Sequence, residues 1–158
     1  MQIDFFIMVD RIVSLSIENG TVHCESAVPQ DSSIYRGHFP GHPILPGVLL
    51  IETMAQTAGW LILGLNKFER FPFLSIVSEA KLRDFVEPGM QLSVEAKLLH
   101  EGSGFAKTSN RVTVDGKLKC QSETTFRVLQ FPSPVFREHV LAQALRVGYP
   151  AELVPNGG

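Results

Sequence analysis

Two side chains that can exchange protons near neutral pH lie on either side of the start of an apolar segment. His38 lies in a stretch rich in proline and glycine, and Glu52 follows fourteen residues later within the apolar run. Histidine can act as base or acid, and the prolines and glycines fix an unusual backbone path, so the pair is a candidate for acid–base catalysis. Two plainer interpretations stay open. A histidine in such a loop usually has a structural role. A lone glutamate on an apolar helix is usually a core residue whose hydrogen bonds are satisfied, or it faces a partner subunit.

The apolar run predicts a helix from about Gly47 to Asn66, with Pro46 in its first turn. The first amides of a helix have no acceptor within it, so those of Gly47 and Val48 are candidate donors to an anionic oxygen. Gly47 also has no side chain to block close approach. Amides placed in this way can hold the oxygen of a developing enolate.

Gln56 lies one turn after Glu52 on the same face of the predicted helix. It is expected to orient the carboxyl group of Glu52 rather than to react. His42 belongs to the same loop as His38 and is expected to face solvent or to act as a cap. The remaining histidines are scattered over predicted strands and the C-terminal segment, and no role is assigned to His23, His100 or His139.

The elements that must position these residues begin with a predicted hairpin. Asn19-Gly20, a dipeptide typical of two-residue hairpin turns, separates two runs in which apolar and polar residues alternate. The buried face of the first strand is therefore expected to hold Val13, Leu15 and Ile17. The buried face of the second is expected to hold Val22, Cys24, Ser26 and Val28.

Further strands are predicted over residues 73–82, 92–98, 105–114 and 117–128, with Asp115-Gly116 as a second tight turn. The last strand is expected to bury Leu118, Cys120, Ser122, Thr124, Phe126 and Val128. The resulting sheet is mostly antiparallel with one apolar side. The helix is apolar nearly all round and must be enclosed, and only this sheet can enclose it. The sequence therefore predicts an α+β domain in which a curved antiparallel sheet wraps around one long central helix.

Composition narrows the class of protein. The chain has 158 residues, 44% of them hydrophobic and 19% charged, which suits a single domain with a sizeable core. Its net charge of −2 makes neither nucleic acid nor an anionic membrane surface an expected partner. Two cysteines without metal-ligand spacing indicate a reducing, cytoplasmic setting. Residues 48–65 could mimic a membrane span, but they carry Glu52 and are interpreted as a buried helix.

The domain is predicted to span residues 1–128. From residue 129 onward prolines become frequent, and a modest amphipathic stretch covers residues 135–147. Residues 129–158 are therefore interpreted as a C-terminal extension rather than a separate domain, with a loose tail at 156–158.

The segment HFPGHPILPGVLLIETMAQ, residues 38–56, resembles the signature of the β-hydroxyacyl-[acyl-carrier-protein] dehydratases of the FabZ type. That family carries HFPG, then PGV, then E-x-x-A-Q, and each element is present here at the family's spacing. The likeness extends to VDRI at 9–12, EPG at 87–89 and TVDGK at 113–117, so it covers roughly residues 4–128. The resemblance implies the hot-dog fold, which agrees with the sheet-around-helix prediction.

The resemblance also implies an enzyme of fatty acid biosynthesis. Such an enzyme removes water from a (3R)-3-hydroxyacyl thioester on acyl carrier protein and leaves a trans-2-enoyl thioester, with no metal or other cofactor. The implied catalytic pair is His38 and Glu52, and the implied substrate-binding residues are Phe39, Gly47, Val48 and Gln56. The acyl chain would lie between helix and sheet. A homodimer is expected, often assembled as a hexamer of three dimers, with His38 of one subunit facing Glu52 of its partner.

The chain departs from the family pattern in two places. A more basic run usually stands where this chain has KLRDF at 81–85, and the tail beyond residue 129 extends past the usual end. With HEGSGFA at 100–106, the chain resembles the variant dehydratases associated with very-long-chain acyl groups of lipid A in some α-proteobacteria. Contacts to the acidic carrier protein are expected from Lys67, Arg70, Lys81 and Arg83, unless these form an ordinary solvated face. Two other functions stay open: a hot-dog acyl thioesterase and a non-catalytic acyl-binding subunit.

Overall fold

A computed structural model describes residues 1–155, so the predicted tail at 156–158 lies outside the described residues. The strands are β1 (Arg11–Ser16), β2 (Thr21–Ala27), β3 (Arg70–Leu82), β4 (Gln91–Gly102), β5 (Phe105–Val114) and β6 (Lys117–Gln130). The α-helices are α1 (Gly47–Leu65) and α2 (Pro134–Arg146). Short 3₁₀ helices cover Ile3–Phe5, Ser33–Arg36 and Ala151–Leu153.

The sheet is antiparallel throughout, and its strands follow the order β1-β2-β4-β5-β6-β3. Helix α1 packs against β2 to β6 and is enclosed by the curve of the sheet. The predicted hot-dog arrangement is thereby confirmed. By length and mean hydropathy (1.5), α1 could also span a membrane, but 61% of its apolar window is buried inside the fold, as in the core helix of a soluble protein.

The first hairpin differs from the prediction in its turn and its register. Four residues, Ile17–Gly20, separate the paired Ser16 and Thr21, so the two-residue turn is wrong. A β-bulge between Ile12 and Ser14 shifts the pleat by one residue. Ile12 is therefore buried and Val13 is 41% exposed, because a one-residue shift exchanges the two faces of a strand.

The second hairpin is confirmed. Val114 pairs directly with Lys117, and both turn residues, Asp115 and Gly116, have positive φ as a type I′ turn requires. A register shift in the β5–β6 pairing next to this turn changes which side chains point inward. Lys119 is buried there, whereas Leu118 is only partly buried.

The core divides along α1 into two clusters of buried residues. Leu49, Leu50 and Met54 of its N-terminal half pack with Val86 and Leu92. The C-terminal half packs with Phe68 and with a set of buried residues from the C-terminal segment, namely Val140, Ala144, Val147 and Tyr149. Tyr149 donates a hydrogen bond to the carbonyl of Trp60, 3.1 Å away. The C-terminal segment is therefore part of the packed structure.

The two edges of the sheet are finished differently. At the β1 edge the amide of Ile12 donates to the carbonyl of Val147 at 2.8 Å, so the C-terminal segment covers part of that edge. Within residues 1–155, β3 pairs on one side only, with β6. It exposes several apolar side chains, namely Phe73, Ile76, Val77 and Leu82. An open edge of this kind is a template for pairing with another strand.

Candidate active site

The loop before α1 holds His38 by backbone and side-chain hydrogen bonds. The amide of His38 donates to the carbonyl of Ile34 at 3.0 Å, and the amide of Ile44 donates to the carbonyl of His38 at 3.1 Å. The imidazole stacks on the ring of Phe39 with a centroid separation of 4.2 Å. The segment rich in proline and glycine therefore places the histidine ring in one orientation.

The side-chain contact of His38 determines which ring nitrogen is basic. Its Nδ1 lies 3.1 Å from the carbonyl oxygen of Ile44. A carbonyl oxygen can only accept, so Nδ1 carries the hydrogen in that bond. In the neutral ring Nε2 is then unprotonated, the state that a general base needs.

His38 lines a cavity of about 430 Å³ at the N-terminal end of α1, called here the histidine cavity. Phe39, Gly47 and the segment 82–86 also line it. The amide of Leu49 donates to the carbonyl of Pro46, which is the N-cap residue rather than part of the first turn as predicted.

Gly47 meets the requirement for close approach in this cavity. A Cβ atom added to Gly47 would lie 2.4 Å from Cδ1 of Leu82, so a larger residue would have to displace the exposed side chain of Leu82. The first-turn amides of Gly47 and Val48 have no acceptor in the helix. Gly47 lines the cavity, whereas the side chain of Val48 is 69% exposed and lines neither this cavity nor the one around Glu52.

Glu52 is held by Gln56, the contact that the one-turn spacing predicts. The Gln56 Nε2 donates to Glu52 Oε1 at 2.9 Å. Two backbone groups of the N-terminal segment fix the amide of Gln56: its Nε2 also donates to the carbonyl of Phe6 at 2.7 Å, and its Oε1 accepts from the amide of Met8 at 3.0 Å. These partners leave only one orientation for the amide group, with its NH₂ toward the carboxylate.

Glu52 lines a second cavity of about 470 Å³, called here the glutamate cavity. It lies between one face of α1, the start of β3 and helix α2. The two cavities have no lining residue in common. Within one chain the structure therefore brings His38 together with Phe39 and Gly47, and Glu52 together with Gln56, but it does not bring the two groups into one cavity.

Helix α2 supplies lining residues that the sequence did not identify. Its contribution to the glutamate cavity is Phe136, His139, Val140 and Gln143. This set has the spacing of one helix face, a signal that was present in the amphipathic stretch. His139, to which no role was assigned, belongs to this wall.

The four basic candidates for carrier contacts do not form one patch within a chain. Arg83 lines the histidine cavity and Lys81 lies two residues before it. Arg70 begins β3, eleven residues before Lys81, a length of strand that spans at most roughly 36 Å. Lys67 lies beyond the same distant end.

Asp84, where the family usually has a more basic run, is neutralised by a buried lysine. Its Oδ2 accepts from Lys119 Nζ at 2.5 Å. This contact, with the amide of Phe85, holds the pKa of Asp84 below its usual range. The acidic residue therefore adds no unpaired negative charge beside the histidine cavity.

No group of three or more potential metal ligands lies together among residues 1–155. The two cysteines are buried, and burial raises the pKa of Cys24 to about 12 and that of Cys120 to about 11. Neither thiol is ionised near neutral pH, so neither is a candidate nucleophile.

The chain matches known proteins over the whole of the histidine cavity and over the α1 and β3 walls of the glutamate cavity. A family model described as a FabA-like domain matches residues 2–123. A 3-hydroxyacyl-[acyl-carrier-protein] dehydratase FabZ of Novosphingobium aromaticivorans is 36% identical over 122 residues, which are 75% of this chain and 77% of the relative. The FabZ of Coxiella burnetii strain RSA 331 is 37% identical over 122 residues, 75% of this chain and 85% of the relative.

Solved structures with lower sequence identity share the fold. The dehydratase heterocomplex ApeI:P from Xenorhabdus doucetiae has a TM-score of 0.63 at 19% identity, covering 86% of this chain and 90% of that one. A hypothetical thioesterase of Streptococcus pneumoniae TIGR4 with coenzyme A has a TM-score of 0.61 at 16% identity, covering 78% and 88%. Proteins with this fold thus include both dehydratases and thioesterases, so the fold alone does not identify the family. The family-model match and the sequence identity to the FabZ relatives do identify it. The chain belongs to the FabA-like family as a relative of the FabZ 3-hydroxyacyl-[acyl-carrier-protein] dehydratases.

Proposed function

We propose that this protein converts (3R)-3-hydroxyacyl-[acyl-carrier-protein] to trans-2-enoyl-[acyl-carrier-protein] in fatty acid biosynthesis, with His38 and Glu52 as its catalytic residues. The observation that carries the proposal is the bond from His38 Nδ1 to the carbonyl of Ile44, since it leaves Nε2 as a free base in a cavity lined by Gly47. The dehydratases named among the relatives support the choice of reaction.

In the proposed reaction, His38 Nε2 takes a proton from carbon 2 of the acyl chain. The C–H electron pair forms the double bond between carbons 2 and 3, and the bond from carbon 3 to its hydroxyl oxygen breaks. Glu52 gives that oxygen a proton, directly or through a water molecule, and it leaves as water. The amide of Gly47, aided by the helix dipole, holds the thioester oxygen while charge develops on it.

We propose that the active site is shared by two subunits of a homodimer, which can assemble further into a hexamer of three dimers. Two features support this arrangement: His38 and Glu52 line separate cavities in one chain, and β3 presents an open apolar edge. We also propose that residues 1–128 form the hot-dog domain and that residues 129–158 are its extension. The enzyme is proposed to be cytoplasmic and to act on very-long-chain acyl groups destined for lipid A. Val48 and Phe39 are proposed as further substrate contacts.

Two variants and a product assay test the function. His38→Ala and Glu52→Gln should each lower turnover of a 3-hydroxyacyl carrier substrate by at least ~10²-fold, the usual scale for a lost general acid or base. Circular dichroism should report an unchanged fold. His42→Ala, in the same loop, is the matched control and should keep near-normal turnover.

The product distinguishes the three candidate functions. An enoyl thioester, detected by its ultraviolet absorbance, supports dehydration. Release of a free thiol instead would identify a thioesterase, and binding without either product would identify a non-catalytic acyl-binding subunit. Near-normal turnover by a folded His38→Ala variant would refute the assignment of the base.

A further inference from the structure

The C-terminal helix α2 lies outside the part of the chain that the family model matches, which ends at residue 123. It nevertheless forms one wall of the glutamate cavity, the cavity that holds the proposed acid Glu52. Part of the lining of this cavity is therefore formed by residues that the family match does not cover.

Hydrogen bonds hold α2 in a fixed position along the cavity. Near its start, Arg137 Nε donates to the carbonyl of Phe68, just beyond the C-terminal end of α1, at 2.9 Å. At its end, Arg146 Nη2 donates to the carbonyl of Val9 at 3.2 Å. The amide of Met8, next to Val9, donates a hydrogen bond to Oε1 of Gln56. The start of α2 therefore lies at the end of the cavity remote from Glu52, and its last turn lies near Gln56.

The remote end of the cavity is apolar and aromatic. Phe136 packs edge-on against Phe71 with centroids 4.9 Å apart, and Val140 is buried in the same cluster as Leu63. The lining of α1 runs from Glu52 to Leu63, eleven residues, or roughly 16 Å at the rise of an α-helix. A hydrocarbon chain leaving the reacting carbons beside Glu52 would follow this lining.

We infer that Phe136, supported by Val140, is the end wall of the acyl site and sets the length of acyl chain that the protein accepts. The inference rests on the proposed function for the identity of the chain. His139 and Gln143 form the side wall nearer to Glu52 and do not limit the length. An acyl tail longer than the cavity must displace the aromatic ring of Phe136 or leave its own end in water.

Substitutions at the end wall test the inference through chain-length profiles. Relative rates on 3-hydroxyacyl carrier substrates of increasing length are measured for the wild type, Phe136→Ala and the control Val135→Ala. Val135 is on the same helix but is 73% exposed and lines no part of this cavity. Phe136→Ala should raise the ratio of long-chain to short-chain kcat/KM by at least ~10-fold, the scale of one methylene group in an apolar pocket. Val135→Ala should leave the profile unchanged.

Filling variants test the opposite direction. His139 is exposed and lines the cavity, so His139→Trp should narrow the side wall and reduce binding of all chains equally. Val140→Phe fills the end and should shorten the longest chain accepted. A Phe136→Ala profile identical to the wild type, or an equal loss at every length in a folded variant, overturns the inference.

A binding measurement separates this inference from the proposed function. Saturated acyl-pantetheine thioesters of increasing length, which have no hydroxyl group to lose, are titrated calorimetrically into the same proteins. If the wild type binds these thioesters but does not dehydrate the 3-hydroxyacyl carrier substrates, only the proposed function is refuted. A Phe136→Ala variant that binds long chains no better than the wild type refutes the end wall, whatever the dehydration assay shows.

Discussion

The histidine cavity and the glutamate cavity are both built on α1, but they differ in what closes them. The histidine cavity lies at the first turn, where the backbone supplies free amides and the segment 82–86 forms the far wall. Its rim carries exposed apolar side chains, among them Phe39 and Phe85. The glutamate cavity lies along the middle of α1 and is covered by aromatic residues of β3 and by α2.

This difference separates two tasks. In the proposed mechanism, the histidine cavity supplies the base and the amide donors for a developing negative charge, and its open rim admits the substrate arm. The glutamate cavity provides a carboxyl group and an apolar lining for a chain. Neither cavity contains both His38 and Glu52, and in the proposed dimer the histidine cavity of one chain meets the glutamate cavity of the other.

Complementation gives the largest expected effect on this comparison. His38→Ala and Glu52→Gln homodimers should both be inactive, because each lacks one group at every site. Refolding an equal mixture should restore about one quarter of the wild-type activity, since half of the dimers are mixed and each has one intact site of two. Mixing His38→Ala with the double variant His38→Ala/Glu52→Gln is the matched control and should restore nothing. Verified mixed dimers as inactive as their parents would show that both groups act within one chain.

Loss of the hydrogen bond between Gln56 and Glu52 should impair the proposed acid in the glutamate cavity and leave the histidine cavity unchanged. Gln56→Leu removes a donor to a carboxylate, a hydrogen bond whose loss costs about 1.5 kcal/mol or more, so kcat should fall by about 10-fold. KM should change little, because Gln56 positions the acid and does not anchor the carrier. Gln91→Leu, at an exposed position of β4 outside both cavities, is the control. A rise in KM with unchanged kcat would contradict the positioning role.

Charge reversal at the two ends of β3 should give the smallest effect and should show which cavity faces the carrier. Lys81→Glu/Arg83→Glu beside the histidine cavity should lower kcat/KM for carrier-bound substrate by several-fold at low ionic strength and weaken its salt dependence. Activity on a pantetheine substrate should be unchanged. Lys67→Glu/Arg70→Glu, at the distant end, is the matched double variant. An equal loss on both substrates would mean that Lys81 and Arg83 support the fold or the cavity instead.

Much of the fold follows from local sequence patterns. The Asp115-Gly116 turn and the apolar helix from Gly47 are signals within a few residues of each other, and both are confirmed. The predicted alternation of buried residues is confirmed in β2 but not in β1, where Val13 is 41% exposed. The register of the first hairpin could not be predicted in the same way, because the bulge near Ile12 depends on how β1 pairs with β2. That pairing lies outside any local pattern.

The sequence by itself determined which residues could do the chemistry. Three local features identify the candidate residues: the HFPG loop, the prolines around Gly47, and the one-turn spacing of Glu52 and Gln56. Each can be predicted from residues that are close together in the sequence. The hydrogen bond that orients the His38 ring lies within six residues of the chain. Such short-range contacts are expressed directly in the order of the residues.

Only the tertiary structure decided how these groups are distributed in space. Three features depend on the curved sheet: the separation of His38 from Glu52, the hydrogen bond to Gln56 from the amide of Met8 48 residues away, and the pairing of Lys119 with Asp84 across 35 residues. So does the lining of a single cavity by both Phe136 and Glu52. These contacts join distant parts of the chain whose spacing in sequence carries no information about their distance, so the packing of the sheet around α1 had to be known.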